Sequence, residues 1–366
     1  MDKGVVINTE DKWQGHPDVA LFRTNNQDCL FVVYRESEHH KTNENTSIKV
    51  VKSSLDGNGF SFGEPVTLFE SGTEGRYNCP RLSVVDDKLF CIVDYIKNDD
   101  SNFISAENTE GNTEIHSRRT INVAGIDIWH PQQKFPGITG IVPDRLLRYN
   151  GSYVLATHMA RPSVVRHLDG RLVQDIWINS SDESGLYNWE KCLVAGDMIH
   201  NLCEASVFKI NDKHLGCLMR ENSQKGLPAF YCRSQDGGRN WTKHKPTRIF
   251  GCHRPVMGKL KSGNFFVTYR EQSSIFSQDC WARNTFSAIV MPTDEGYPNF
   301  NQINILPLDH DRSSKPDGGY TGWVQLPDES IFIVNYITDD SPKPQIRYYV
   351  VKEDEYYDKN LIGDFF

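Results

Sequence analysis

The chain has 366 residues, 38% hydrophobic and 24% charged, with a formal net charge of −8. That composition belongs to a globular protein rather than a disordered or fibrous one. No apolar run approaches the roughly 18 residues that a membrane-spanning helix needs, and an acidic balance without any basic run argues against a nucleic-acid partner.

The chain opens MDKGVVINTEDKW, which lacks the apolar stretch of a secretory leader. Its nine cysteines stand at 29, 79, 91, 192, 203, 217, 232, 252 and 280, an odd number with no C-x-x-C pair. Several lie inside apolar runs, such as Cys91 in LFCIVDY and Cys217 in LGCLMR, where a free thiol acts as a small hydrophobe. The expectation is reduced thiols in a reducing, cytoplasmic compartment, without a disulfide framework or a metal cluster. Secretion stays open if a leader has been removed.

Read in chain order, one pattern recurs: a strand, a short polar turn, a second strand. DVALFRTNNQDCLFVVY turns at Asn26, RLSVVDDKLFCIVDY at Asp87 and RLLRYNGSYVLATH at Asn150. ASVFKINDKHLGCLMR turns at Asp212, VMGKLKSGNFFVTYR at Ser262 and GWVQLPDESIFIVNY at Asp328. Six similar hairpins spaced by 50 to 66 residues form an internal repeat. About sixty residues hold four strands of roughly six residues with their loops, and four-stranded units repeated around an axis make a β-propeller. Helical periodicity is nearly absent, and Gly, Pro and Asn punctuate the chain throughout. The expected fold is all-β, a six-bladed propeller of four-stranded antiparallel blades in one domain over 1–366.

The stretch SQDGGRNW, Ser234 to Trp241, follows the strand PAFYCR and falls between a blade's third and fourth strands. Ser and Asp bond their own backbone in turns, Gly supplies positive φ, and the Trp ring needs a place to pack. Looser copies are SLDGNGFSF (Ser54, Asp56, Gly59, Phe62) and SDESGLYNW (Ser181, Asp182, Gly185, Trp189). The segment from Asn98 to Pro136 is polar and rich in Gly and Asn, and reads as a long insertion over the pocket.

Propeller geometry then places the candidate site. If the six turns share one face, the other face collects the starts of the first strands: Asp18, Arg81, Asp144, Glu204, Arg254 and Tyr320. It also collects the ends of the second strands: Arg35, Asp94, His158, Arg220, Arg270 and Tyr336. Charged groups at matching positions around an axis make a polar pocket. Its arginines would focus an anionic ligand within a net-negative protein.

The repeated S-x-D-x-G-x-x-W turn resembles the Asp-box of the sialidase (neuraminidase) superfamily, as a divergent member. The resemblance implies a retaining exo-glycosidase for a terminal acidic sugar, sialic acid or a related 2-keto acid such as Kdo, with no cofactor and no metal. CEASVFKINDKHLGCLMREN is similar to the segment that carries the family's partner glutamate and a carboxylate-binding arginine, which implies Glu204 and Arg220. GGYTGWVQLPDESIFIVNY is similar to the segment of the nucleophilic tyrosine, which implies Tyr320, and WARNTFSAIV implies Arg283 as a further arginine. A guanidinium fork matches the carboxylate of such a sugar. A tyrosine avoids the repulsion an anionic nucleophile would meet, and a nearby glutamate takes its proton.

The resemblance departs at two places. Where the family has its first arginine this chain reads QGHPDVAL, with Gly15 or His16 at the position, so Arg76, Arg81 or Arg35 would have to substitute. Where the family has its acid/base aspartate the loop reads YRESEHHKTNENTS, which offers His39 or His40, with Asp18 as competitor. Arg254 and Arg270 add cations to the same face. Two alternatives on the same fold remain: a uronate polysaccharide lyase and a non-catalytic carbohydrate-binding propeller.

Overall fold

A computed structural model describes residues 1–24, 26–55, 59–98, 112–123, 126–160, 173–181, 185–196, 198–223, 225–272 and 283–357. The chain forms six antiparallel sheets, the blades of a propeller. Blade I comprises Trp13–Thr24, Gln27–Ser37, Ser47–Ser54 and Val66–Glu70. Blade II comprises a split inner strand, Gly75–Tyr77 and Arg81–Val85, then Lys88–Lys97, Thr113–Val123 and an outer strand broken into Ile126–Trp129 and Gln133–Lys134. Blade III comprises Leu147–Tyr149, Ser152–Ala160, Gln174–Ser181 and Trp189–Ala195. Blade IV comprises Leu202–Asn211, His214–Glu221, Pro228–Ser234 and Lys245–Phe250. Blade V comprises Cys252–Lys259, Phe265–Glu271, Asn284–Pro292 and Pro298–His310.

Blade VI joins Gly318–Gln325, Ile331–Ile337 and Gln345–Val351 to the N-terminal strand Asp2–Ile7. The first strand of the chain therefore pairs with its last, Asp2 opposite Val350, and closes the ring.

All six sequence-defined turns connect the first two strands of a blade. Five of them carry a residue with positive φ at the turn: Asn26 (58°), Asp87 (55°), Asn150 (47°), Gly263 (96°) and Glu329 (70°). The Asn98–Pro136 segment is a correction to the sequence reading. From Thr113 onward it supplies the third and outer strands of blade II, and residues 99–111 lie outside the described part. Its Asn and Gly content suggested a loop, but the alternation EIHSRRTI was enough to pair with the second strand.

Each blade buries both faces, one on each neighbour. Along Gln27–Ser37, Leu30, Val32 and Tyr34 pack toward blade VI, whereas Cys29, Phe31 and Val33 pack toward blade II. Alternate residues of a strand point to opposite faces, so runs such as LFVVY are apolar throughout because both faces are interior. One apolar cluster fills the gap between each pair of neighbouring blades. The eight cysteines among the described residues are all unpaired, seven of them buried; Cys280 lies outside that part.

The Ser234–Trp241 turn is closed by its own polar groups. Ser234 Oγ donates to Asp236 Oδ1 at 2.8 Å and accepts from Gly238 N at 2.8 Å, while Asn240 N donates to Asp236 Oδ1 at 2.9 Å. Gly237 and Gly238 take φ of 75° and 89°, and Trp241 Nε1 donates to Gly238 O at 2.9 Å as its ring joins the blade III–IV core. Trp189 repeats the contact, donating to Leu186 O at 2.8 Å. Asp56 and Asp182 of the looser copies lie outside the described residues.

Candidate active site

On the face opposite the hairpin turns, the inner strands begin with a bulge. Pairing register breaks between Gly15 and Asp18, Cys203 and Ser206, His253 and Val256, and Gly318 and Thr321. The bulge residue takes positive φ in His16 (53°), Val142 (50°), Glu204 (46°), Arg254 (51°) and Gly319 (94°). Positive φ is uncommon outside Gly and persists where the surroundings impose it. A bulge re-aims successive side chains, and here it separates them by depth.

The strand-start alignment of the sequence reading therefore mixes three tiers. Glu204 and Arg254 are bulge residues, Tyr320 follows its bulge residue, and Asp18 and Asp144 stand two beyond theirs. The deepest tier staples the blades together. Asp18 Oδ2 accepts Leu82 N at 2.9 Å, Asp144 Oδ2 accepts Val207 N at 2.6 Å, and Ser206 Oγ accepts Met257 N at 3.0 Å, each from the next blade. Asp18 also binds Arg145 Nη2 at 2.6 Å and Arg81 Nη1 at 3.3 Å, and is fully buried. Its burial opposes ionisation, but the two guanidiniums hold it below the usual carboxylate range. It is committed to the blade I–II joint and has no proton to give.

The upper tier converges on Tyr320. Its Oη donates to Glu204 Oε1 at 2.5 Å, Arg220 Nη1 donates to Glu204 Oε2 at 2.7 Å, and Arg220 Nη1 also reaches Tyr320 Oη at 3.3 Å. Asn222 Oδ1 accepts from Arg220 Nη2 at 2.6 Å. The Arg270 guanidinium lies over the Tyr320 ring, 4.7 Å from its centre, and donates to His253 Nδ1 at 3.3 Å. Gly319 makes that approach possible, since a Cβ there would meet Arg270 Cγ at 2.5 Å. Behind the glutamate, His158 Nδ1 accepts Glu204 N at 3.3 Å and fixes the bulge; burial lowers this imidazole to about 4, so it is neutral.

The electrostatics suit an ionised glutamate beside a protonated phenol. Burial disfavours the Glu204 charge, but Arg220, then Arg270 and Arg254, outweigh it and push the carboxyl far down. Burial and the Glu204 carboxylate push the Tyr320 phenol far up.

The blade I side is aromatic. His16 stacks on Tyr320 with centres 4.9 Å apart and planes at 26°, and its other edge meets His40 at 5.3 Å. Burial drives His16 well below the usual histidine range, so a neutral ring stands where the resemblance implied an arginine. His40 packs on Trp13 at 4.9 Å, and its Nδ1 donates to Asp317 Oδ1 and Oδ2 at 3.0 and 2.9 Å. His39 is exposed and faces Lys343 Nζ at 3.4 Å, away from this cluster.

The remaining arginines divide by role. Arg35 spends its guanidinium on its own loop, on His40 O at 3.3 Å and Thr42 O at 2.8 Å, and on Asn78 Oδ1 of blade II at 3.2 Å. Arg81 and Arg254 lie below Tyr320, on Thr321 O at 3.0 Å and Pro143 O at 2.9 Å. Arg76 bonds the Asn43 side chain. Arg283 precedes the third strand of blade V and is lowered to about 10 by burial and by Arg270 beside it. The sequence reading missed Asp317, in KPDGGY; its spacing three residues before Tyr320 was the available signal.

No group of three metal-ligating side chains occurs among the described residues. A cavity of about 810 Å³ lined by Tyr149, Trp189 and Asp236 lies on the opposite face and holds none of these groups.

The architecture has solved counterparts. A Dyadobacter fermentans protein of unknown function superposes with a TM-score of 0.74 at 18% identity, over 95% of this chain and 97% of its own. A Trypanosoma rangeli sialidase solved with sialic acid gives 0.63 at 12%, over 96% of this chain and 56% of its own. The phage phi92 endosialidase gives 0.69 at 10%, over 96% and 69%. The fold is the sialidase propeller. No family model and no curated protein matches the chain. At such identities the likeness concerns architecture alone, and the chemistry of this sialidase-type propeller rests on its own residues.

Proposed function

We propose that the protein is a retaining exo-glycosidase that removes a terminal acidic sugar, sialic acid or a related 2-keto acid such as Kdo, through a tyrosyl intermediate. The observation that carries this reading is the Tyr320–Glu204–Arg220 triangle, a phenol 2.5 Å from a buried carboxylate with one guanidinium bound to both. A tyrosine is activated when an adjacent base takes its proton as it attacks. Arg220 and the Arg270 guanidinium over the ring stabilise the phenolate as it develops.

In the first step Tyr320 Oη bonds to the anomeric carbon and its proton passes to Glu204 Oε1. The glycosidic C–O bond breaks, and the leaving oxygen takes the proton of protonated His40. In the second step a water loses a proton to His40 and bonds to the anomeric carbon. The Tyr320 C–O bond breaks, and Glu204 returns the proton to the phenol. The sugar leaves with its configuration retained. Arg283, Arg220 and Arg270 hold the sugar carboxylate. Asp18, Arg81, Arg254 and Arg35 support the site from below and from the side, and His39 takes no part.

The test is release of an aryl leaving group from glycosides of N-acetylneuraminic acid, Kdo, glucuronic acid and neutral sugars, by the protein and by Tyr320→Phe. Release from one acidic sugar, lost in the variant, is expected. Release that survives Tyr320→Phe removes the tyrosine from its role. Appearance of a conjugated double bond in a uronate product identifies a lyase, and binding without turnover identifies a carbohydrate-binding propeller.

A further inference from the structure

We propose that Asp317 is the positioning residue of an acid/base dyad: it holds His40 with the proton on Nδ1, so that Nε2 faces the leaving group, and it offsets the imidazolium charge. The direction of proton transfer rests on the glycosidase reading above; the dyad itself rests on geometry.

The two oxygens of Asp317 both lie within 3.0 Å of His40 Nδ1. A carboxylate only accepts, so Nδ1 must donate, and in the neutral ring Nε2 is then the acceptor. The His40 side chain is 42% exposed, whereas Asp317 is 21% exposed. The less exposed partner thus grips one nitrogen, and the imidazole as a whole keeps part of its surface in contact with solvent.

Asp317 is itself held from several elements. Trp13 Nε1 donates to Oδ2 at 2.7 Å from blade I, and Tyr336 Oη donates to Oδ1 at 3.2 Å from the second strand of blade VI. Its backbone N donates to Asp311 Oδ2 at 3.0 Å, and the same Asp311 carboxylate takes Ser313 N, Thr338 N and Asp339 N. The turn that positions Asp317 is therefore rigid, and three residues later it delivers Tyr320. His40 is fixed as firmly. Arg35 binds the His40 and Thr42 carbonyls of its loop, and the ring packs against both Trp13 and His16, which also touch each other. A histidine needs only one partner to be a satisfied surface group. Here ring, tautomer and loop are each set by separate contacts, as an acid/base requires.

The neighbouring charges favour the same role. Asp317 is the anion bonded to His40, and Arg35 touches the backbone rather than the ring. His16, the adjacent imidazole, is kept neutral by burial and does not compete for the proton. Burial opposes the Asp317 charge, yet the His40 and Trp13 hydrogen bonds lower it to about 2, so the dyad is ionised on the Asp side across the working range.

Two readouts test the dyad in the whole protein. The first is ¹⁵N NMR of histidine-labelled protein, with the His40 signals assigned by their loss in His40→Gln. Neutral His40 is expected as the Nδ1–H tautomer, and Asp317→Asn, whose amide can either donate or accept, is expected to shift the population toward Nε2–H. The second is the dependence of kcat/KM on the leaving group. General-acid loss costs about 10²–10⁴-fold where the leaving group needs a proton. His40→Gln and Asp317→Asn are therefore expected to lose that much on alkyl glycosides but less than about tenfold on nitrophenyl glycosides, with His39→Gln unchanged on both. A structural Asp317 would lower both substrates equally. An Nε2–H tautomer in the unaltered protein, or one unmoved by Asp317→Asn, overturns the dyad. If the unaltered protein cleaves neither substrate, the glycosidase reading fails while the NMR result still decides the dyad.

Discussion

Glu204→Gln separates chemistry from stability because the glutamate serves both. It accepts from Tyr320 and Arg220 at 2.5 and 2.7 Å, and its charge faces Arg220, Arg270 and Arg254. A glutamine keeps one acceptor oxygen, and the Arg220 donors will claim it. The amide nitrogen then faces Tyr320 Oη, and the phenol proton loses its acceptor. Losing one charge-assisted bond costs roughly 1.5–3 kcal/mol, and stranding buried cations carries the total toward about 3–5 kcal/mol. An unfolding entropy of roughly 2.1 cal/mol/K per residue over this chain makes each kcal/mol worth about 1.3 °C. Tm is expected to fall by roughly 4–6 °C, read by calorimetry. In the hydrolysis assay kcat is expected to drop about 10²–10⁴-fold, as for loss of a general base. Tyr320→Phe gives the opposite signature: activity is abolished, while Tm changes by no more than about 1–2 °C because the Glu204–Arg220 pair is intact. If Glu204→Gln lowers Tm as expected but keeps kcat within about threefold, the carboxylate is structural and the nucleophile pair is refuted.

Gly319→Ala forces a Cβ within 2.5 Å of Arg270 at φ 94°. The backbone strain costs roughly 1–3 kcal/mol, and displacement of Arg270 is expected to raise KM for the acidic sugar by about tenfold or more. Asp236→Ala removes the acceptor of Ser234 and Asn240 in the blade IV turn; it should cost about 1–2 kcal/mol in urea unfolding and leave kcat unchanged, because the turn lies on the far face. Asp317 titrates at about 2 in the folded protein against an ordinary 3.8. Its depressed value means that it adds stability above pH about 4, lost as pH falls toward about 2. The contribution is roughly 2 kcal/mol, and unfolding curves at pH about 5 and about 3 should differ by less in Asp317→Asn.

The hairpins were legible because each turn announces itself. Asn26, Asp87 and Asn150 are residues that tolerate positive φ, and each is flanked by runs such as LFVVY that only a doubly buried strand explains. Tyr320, Glu204 and Arg220 were reached by resemblance, and the structure sets them within hydrogen-bond distance of one another. Depth was not legible. Asp18 and Glu204 occupy similar offsets from their hairpin turns, but the bulge at Glu204 lifts it to the mouth while Asp18 ends at the blade joint. A one-residue bulge has no side-chain signature beyond the prolines after His16, Val142 and Arg254. Asp317 was hidden for a related reason. Its partners Trp13 and His40 come from the far end of the chain and reach it only where the ring closes between blades VI and I, while Tyr336 comes from the neighbouring strand of its own blade.

On the proposed reaction, the pseudo-sixfold frame also orients the substrate. Opposite the bulge, blades I to V carry Arg35, Asp94, His158, Arg220 and Arg270, and blade VI carries Ile337, with Tyr336 beside it. The deep tier repeats a joining role, so it constrains Asp18, Asp144 and Ser206 to accept backbone N–H groups. The upper tier is free of that task, and there the symmetry breaks. Arg220 and Arg270, with Arg283, make blades IV and V the cationic side. Asp94 and the neutral His158 leave blades II and III without a guanidinium at the same level, and Arg35 is turned onto its own loop. On the proposed reaction, a sugar carboxylate is drawn to blades IV and V. Tyr320 then meets the anomeric carbon from blade VI, and the leaving group points toward blade I, where His40 stands. One prediction separates this orientation from its reverse: enlarging the blade I wall by His16→Trp should raise KM for bulky aglycones more than for methyl glycosides. Equal effects on both would place the sugar, not the leaving group, against that wall.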